Sequence, residues 1–424
     1  MAVMTTRKLY YDDAYIREFD AIVTSCREVP DKGYSVSLNQ TAFYPEGGGQ
    51  PGDIGVIMGG GPPGAALETM VIDTQLGVDG DIFHFMREPL PPGATVHCSI
   101  DWPRRIDLMR RHTGEHIVSG LINRLYGLNN VGFHMSMGPG LGAAAGAIVN
   151  FVTIDTSGPL EYDQVSEVER LANKAVFDDI PVTASFPEPS ELANMKYRSK
   201  KELSGDVRIV SIPGIDACAC CGLHVGRTLE AGIIKITSWE RYKGGTRLYM
   251  LCGPEAAADY AAKNAEIYRI SAMLSAKPGT VADAVKRLLD ENGKAAYDLS
   301  RAKAEITQLL AEKRLESLQA DGHIQKSACV FEDEREFIDL PMYAGLLAEK
   351  VETAAIFMRS GPDDSNCGCR YRYAIASKNG GASAAAKALN AAFNGRGGGN
   401  GGLAQGSVIG AEEDIRSFCM SVNE

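Results

Sequence analysis

His112-Thr-Gly-Glu-His116 and Cys220-Cys-Gly-Leu-His224 decide how this chain is read. Each sets two good transition-metal ligands four residues apart. Together they supply three imidazoles and a thiolate, a full tetrahedral shell for zinc. On a helix, positions i and i+4 share a face, so His112 and His116 can reach one ion. A lone HxxxH pair is a weak sign, and the second pair in the same region makes it a site. Cys220 and His224 follow a predicted strand and a Pro213-Gly214 turn, where a loop can present side chains. Spacing leaves the sulfur donor open. Cys218 and Cys221 are neighbours, and Cys221 with His224 has the CxxH spacing of structural zinc sites. Four protein ligands close the shell, so a hydrolytic role needs a ligand to move aside or the coordination to expand. His112-x-x-Glu115-His116 also matches the inverted zincin protease signature, with the Glu as general base. That class requires a downstream carboxylate as third ligand, where this chain offers a Cys/His pair.

Outward from these motifs, the pattern changes at Asp101. Asp101-Trp-Pro-Arg-Arg-Ile106 predicts a helix start, with Asp101 as N-cap and Pro103 in the first turn. Ile106, Met109, Ile117, Leu121 and Leu125 recur at helical spacing. Upstream, short alternating runs such as Tyr34–Leu38 and Met70–Asp73 lie between Gly and Pro clusters, and Met58–Ala66 reads as a loop. Downstream, Val207–Ile212 and Ile233–Thr237 are strand candidates around the cysteine cluster. Residues 256–321 are rich in Ala, Lys, Glu and Leu, broken once at Pro278-Gly279, which predicts two helices as an antiparallel hairpin. Strand-like runs return after Ser327, with a helix over Ser383–Phe393 and a glycine tract, 394–402, read as a structured loop. The expectation is an α+β chain: a barrel-like β domain over 1–100, a zinc-containing α/β domain over 101–255, a helical arm over 256–325 and a small α/β domain over 326–424.

The 424 residues are 45% hydrophobic and 23% charged, ordinary for a globular protein. Forty-three basic against 54 acidic residues give a net charge of −11, so any nucleic-acid site must be a local basic patch on an acidic body. Arg104, Arg105, Arg110 and Arg111 precede His112, and Lys196, Arg198, Lys200 and Lys201 precede the cysteine loop, which suggests a phosphate-binding rim. Ten cysteines, three of them at 218–221, suit a reducing compartment with one metal cluster better than a disulfide scaffold. The opening MAVMTTRKLYYDD has no apolar run of signal-peptide length, and the longest apolar stretch, Leu141–Ile154, is too short to span a bilayer. A cytoplasmic protein with no membrane partner is expected.

A third motif, Thr41-Ala-Phe-Tyr-Pro-Glu-Gly-Gly-Gly-Gln50, packs three glycines where a backbone must approach something closely. No Lys-Ser/Thr follows, so it is not a Walker loop. Taken together, Thr41-x-Phe-Tyr-Pro-Glu-Gly-Gly-Gly-Gln50, His112-Thr-x-x-His116 and Cys220-x-Gly-x-His224 resemble the editing region of alanyl-tRNA synthetases and its free-standing relatives, the AlaX proteins. Lys8-Leu-Tyr-Tyr-Asp12 and Gly132-Phe-His134-Met are similar too. Gly395-Arg-Gly-Gly-Gly399 with Ala404-Gln-Gly406 resembles the domain that closes those synthetases, shared with DHH-type phosphoesterases (DHHA1-like).

The resemblance spans nearly the whole chain and implies a long-form AlaX protein rather than a complete synthetase. It implies one Zn2+ per chain on His112, His116, Cys220 and His224, and hydrolysis of tRNA(Ala) mischarged with serine or glycine. It associates Gly47, Gly48, Gly49 and Gln50 with discrimination of the aminoacyl group. Thr41, Gln50 and Glu115 are the candidate catalytic residues, and Arg104, Arg105, Arg111 and Arg396 the candidate tRNA contacts. Glu115 orients or deprotonates a water, or is a solvent-facing helix charge. Cys221 and Leu223 depart from the family's Cys-Gly-Gly-Thr-His, and Leu223 removes a hydroxyl from the expected pocket. A zinc-bearing RNA-binding module without chemistry is the main alternative. The arm and C-terminal domain are the expected homodimer contact.

Overall fold

The computed structural model describes residues 6–60, 67–136, 151–199, 207–320, 326–334, 337–362 and 369–421. Lys200 and Lys201 of the expected basic rim lie outside these residues, as does most of the Leu141–Ile154 stretch. The chain divides into two compact units, one through Ile267 and one from Tyr268.

The first unit opens with β1 (Arg7–Lys8) and α1 (Leu9–Asp12), followed by β2 (Glu18–Val29) and β3 (Gly33–Leu38). After β4 (Gln40–Thr41), which pairs in parallel with β1, come β5 (Gly55–Gly59), β6 (Glu68–Leu76), β7 (Ile82–Met86) and β8 (Thr95–Ile100). Six strands close a barrel in the order β2-β3-β7-β6-β5-β8. Alternate residues point inward, as a pleated strand requires. Val23, Val36, Leu38, Phe43, Ile57, Val71, Met86 and Val96 fill the interior. Met58 and Gly59, read as loop from sequence, end β5, because the barrel supplies a pairing partner in β8 that local composition does not reveal.

At Asp101 the chain enters α2 (Trp102–Tyr126). The Asp101 side chain accepts the Arg104 N–H at 3.1 Å, and Gly127 at φ 68° ends the helix in the left-handed conformation. Residues 111–122 are buried on every side, so α2 runs through the middle of the unit. Around it lie β9 (Asn130–Met135), β10 (Val152–Thr156), α3 (Tyr162–Phe177), β11 (Thr183–Ser185), α4 (Pro189–Leu192), β12 (Ile209–Ile212), β13 (Asp216–Ala219), β14 (Ile234–Tyr242) and β15 (Gly245–Cys252). These strands form a four-stranded sheet, β14-β15-β10-β9, and a three-stranded one, β11-β12-β13. Ile117, Val118, Leu121 and Ile122 of α2 pack with Val152, Ile154, Leu248 and Met250 of the larger sheet. Gly120 lets β13 come close: a Cβ there would stand 2.6 Å from the Asp216 Cβ.

A buried ion pair ties the helix to the barrel. Arg105 Nε donates to Asp53 Oδ2 at 2.8 Å, and its Nη1 donates to the Ala14 carbonyl at 2.9 Å. The same Asp53 oxygen accepts the Tyr44 N–H at 2.6 Å, so the segment from Tyr44 to Asp53 is clamped at both ends against the first turn of α2.

The second unit contains the end of α5 (Pro254–Met273), then α6 (Val281–Ala320), β16 (Ser327–Glu332), α7 (Leu340–Ala348), β17 (Thr353–Pro362), β18 (Cys369–Ser377), α8 (Ala382–Ala392), β19 (Arg396–Gly399), β20 (Leu403–Gly410) and α9 (Glu412–Ser421). Its sheet runs β16-β17-β18-β20-β19. One face carries Val330, Ile356 and Met358 against Tyr343 and Leu347 of α7, and the other carries Phe357, Tyr371 and Ile375 against Leu389 of α8 and Ile415 of α9. The glycine tract is only in part a loop. Its Gly397 to Gly399 pair with β20 as an edge strand, and a Cβ at Gly399 would lie 2.2 Å from the Leu403 carbonyl oxygen. Among the described residues no helix is long and apolar enough to cross a membrane.

Removing one partner of a buried ion pair strands the other charge, at a cost of about 3–5 kcal/mol. Arg105→Met is therefore expected to lower unfolding free energy by about that much in urea titrations, with Arg104→Met, at a half-buried neighbour, costing well under half as much.

Candidate metal centre

α2 presents His112 and His116 one turn apart, and the loop after β13 brings Cys220 and His224 to them. The ligand atoms of these four residues all lie within 4.8 Å of one another. Cys220 Sγ is 3.4 Å from His112 Nε2. The His224 ring centroid lies 4.4 Å from that of His112 and 4.5 Å from that of His116. Of the three sulfur candidates, only Cys220 joins all three imidazoles. Cys221 is exposed, with Sγ 3.7 Å from Tyr44 Oη, and Cys218 is buried in β13 beside Asp216 and His116.

Each imidazole has an oxygen within 3.2 Å of its Nδ1. His112 Nδ1 lies 3.0 Å from Gln50 Oε1, His116 Nδ1 lies 3.0 Å from Asp216 Oδ2, and His224 Nδ1 lies 3.2 Å from Thr113 Oγ1. Gln50 Oε1 also accepts the Leu223 N–H at 3.0 Å, which fixes it as oxygen and makes His112 Nδ1 the donor. Outer partners on Nδ1 leave Nε2 as the ligating atom and orient each ring, the arrangement typical of metal-bound histidines. His224 Nε2 is buried and makes no hydrogen bond among the described residues. A buried acceptor left unsatisfied costs about 1–3 kcal/mol, and a cation at the centre of the cluster would remove that cost. Three imidazole nitrogens and one thiolate therefore fit a zinc ion.

Burial opposes the Cys220 thiolate, but the facing His112 and His116 outweigh it and hold the thiol well below its ordinary value. Burial, then His112 and His116, pushes His224 down to about 3, so it stays a neutral ligand.

The Gly47–Gln50 motif forms a wall of the site. Gly47 and Gln50 exchange both backbone hydrogen bonds at 3.0 Å, with Gly48 at φ 59° and Gly49 at φ 81°. Two successive left-handed residues make a tight turn of the type I′ class, which glycine permits without strain. The turn is packed as well as bent: a Cβ on Gly49 would stand 2.2 Å from the Phe133 ring, and Phe133 in turn stacks on His112 at 5.3 Å. Gly222 obeys the same constraint, since a Cβ there would lie 2.0 Å from His112 Cε1.

Several sequence expectations are corrected. Arg105 and Arg111 do not face a phosphate rim. Both are buried, Arg105 on Asp53 and Arg111 on Asp107, with Glu255 3.9 Å away. Their positive charge is spent on internal carboxylates. Arg104 is half-buried and donates to the Gly52 carbonyl, and Arg396 is exposed on β19 in the second unit. Thr41 lies on the barrel side, its hydroxyl 2.9 Å from His84 Nε2. Glu115 is no solvent-facing charge. It is buried, accepts from Ser119 Oγ at 2.7 Å and from Asn130 Nδ2, and lies 3.6 Å from His116 Nε2. Leu223 is buried in a core with Tyr10, Tyr44 and Met109. Asp216, Thr113 and Asn130 escaped the sequence reading. Asp216 lies four residues before Cys220 and Thr113 inside the HTGEH motif, and only their spatial partners reveal them.

The family described as Threonyl and Alanyl tRNA synthetase second additional domain matches residues 207–249, the stretch that delivers Cys220 and His224. The chain is 34% identical over 255 residues to the alanyl-tRNA editing protein AlaX-L of Pyrococcus horikoshii, an alignment covering 59% of this chain and 58% of that protein. It is 30% identical over 292 residues to the alanyl-tRNA editing protein Aarsd1 of Danio rerio, covering 65% and 66%. It is 30% identical over 432 residues to an alanine–tRNA ligase of Pyrococcus abyssi, covering 97% of this chain and 43% of the ligase. The aligned regions thus span about three fifths of AlaX-L and under half of the ligase. The chain is thus similar to alanyl-tRNA editing proteins of the AlaX type.

Gly222→Ala must displace either the loop or His112. Zinc retained after gel filtration is expected to fall well below one per chain in that variant, whereas Gly226→Ala, with no neighbour nearer than 3.4 Å, retains it.

Proposed function

We propose that this chain is a trans-editing hydrolase that deacylates tRNA(Ala) mischarged with serine or glycine at a zinc ion held by His112, His116, Cys220 and His224. The observation that carries the reading is the cluster itself, three imidazoles each with an oxygen near Nδ1 and one acidified thiol, in a chain related to proteins named for alanyl-tRNA editing. Zinc bound there supplies a Lewis acid and a template for the aminoacyl group.

The chain's own residues do the rest. Gln50 is locked by the two hydrogen bonds to its Oε1, and its buried Nε2 makes none among the described residues. That amide donates to the aminoacyl moiety. Glu115, beside His116 and held by Ser119 and Asn130, accepts the proton as water attacks the ester carbonyl. The ester C–O bond breaks, the proton passes to the leaving ribose oxygen, and free amino acid and tRNA depart. Gly47, Gly48 and Gly49, with Phe133, shape the wall that the aminoacyl group meets. A second site of this kind is what accuracy demands, because a pocket that holds alanine rejects one added hydroxyl poorly. Arg104 and Arg396 remain the proposed tRNA-facing cations, and the second unit the proposed tRNA grip or homodimer contact.

The closed four-donor shell favours one rival, a zinc that only holds the loop. Two substitutions separate the readings. Glu115→Gln should keep zinc and fold while slowing Ser-tRNA(Ala) deacylation by roughly 10²–10⁴-fold. His116→Ala should abolish deacylation while leaving tRNA affinity in place; simple unfolding instead supports the structural role. Zinc-loaded protein should release serine faster than alanine from tRNA(Ala), and equal rates would reject editing.

A further inference from the structure

A chain of aromatic rings runs from solvent to the glycine turn. Phe186, in the segment between β11 and α4, is 51% exposed. Its ring meets Tyr11 edge-to-face at 5.6 Å. Tyr11 meets Tyr10 at 4.6 Å, and Tyr10 meets Tyr44 at 5.4 Å, both edge-to-face. Tyr44 closes the series: its hydroxyl donates to the Gly47 carbonyl at 3.0 Å and lies 3.7 Å from Cys221 Sγ. Exposure falls along the row, from open at Phe186, through half-buried at Tyr11, to 2% at Tyr10 and Tyr44. The inner two rings are core. The outer two present aromatic surface to solvent beside the cluster.

Arg208 joins the outer rings to the ligand loop. Its guanidinium lies 5.0 Å from the Tyr11 ring centroid, and Nη1 donates to the carbonyls of Cys220 at 3.0 Å and Gly222 at 2.7 Å. The aromatic surface is thus held in register with the backbone that carries the thiolate. About half of the Phe186 surface stays open to solvent and gains nothing from burial.

Resting on the editing reading above, we propose that Phe186 and Tyr11, braced by Arg208, are the stacking platform for the 3′-terminal base of the tRNA. An aminoacyl ester sits on the terminal ribose. If the ester lies at the cluster, its base lies one sugar away, a distance at which the rings braced on the Cys220–Gly222 loop can receive it. Aromatic faces with a nearby guanidinium bind unpaired bases through stacking and cation–π attraction. Net charge −11 leaves little general attraction for RNA, which gives a local stacking contact more of the work of end recognition.

The test uses the full chain and two uncharged RNA minihelices, one ending in CCA and one whose last nucleotide is abasic, with Kd read by fluorescence anisotropy. The wild type should favour the intact end by roughly 5- to 150-fold. Phe186→Ala should bring that ratio near one, and Phe186→Trp should restore it. A wild-type ratio near one, or a ratio unchanged in Phe186→Ala, overturns the platform. Because no ester is present, the result is independent of catalysis. Discrimination without serine release from Ser-tRNA(Ala) keeps the platform and rejects editing, while serine release with a ratio near one does the reverse.

Discussion

One amide oxygen couples three parts of this molecule. Gln50 Oε1 accepts from His112 on the central helix and from the Leu223 backbone in the ligand loop, while its own backbone closes the glycine turn that follows the barrel's early strands. Two donors on one buried acceptor fix its rotamer and bar a flip of the amide. The helix, the loop and the turn therefore cannot shift independently. The Arg105–Asp53 pair backs this arrangement from behind, holding the far end of the same segment to the first turn of α2.

Glycine recurs wherever these elements meet, and mostly for want of space rather than for dihedral freedom. Gly120 admits Asp216, Gly222 admits the His112 ring, and Gly49 admits Phe133. Protein interiors tolerate no overlap of this size, so each position couples the histidines to a separate strand or loop. The outer partners Gln50, Asp216 and Thr113 then inherit fixed positions around the three imidazoles.

The ligand spacings, the Asp101 helix start and the barrel's alternation were legible in the sequence because each is a local pattern. Periodicity and capping depend on residues within a turn or two. The misreadings share the opposite property. Arg105 reads as a surface charge until Asp53, 52 residues away, is brought against it. Glu115 reads as an exposed helix position until Asn130 folds over it. Choosing Cys220 over Cys221 requires the direction in which the loop leaves β13, and neighbouring residues there point to opposite sides. The Asn394–Gly402 tract lacks every usual strand signal, and β20 alone makes part of it a strand.

The two halves of the cluster also carry a consequence for assembly. His112 and Cys220 are 108 positions apart, and the intervening chain contributes β9, β10, α3 and β12 before the thiol arrives. Contacts of such separation form late, after the entropy of closing the loop has been met by other packing. During synthesis, a ribosome that has released only the barrel and α2 has made two imidazoles and no coordination shell. The four-donor cluster is therefore a product of the first unit's completion, and a chain cut short before His224 would lack one of its donors.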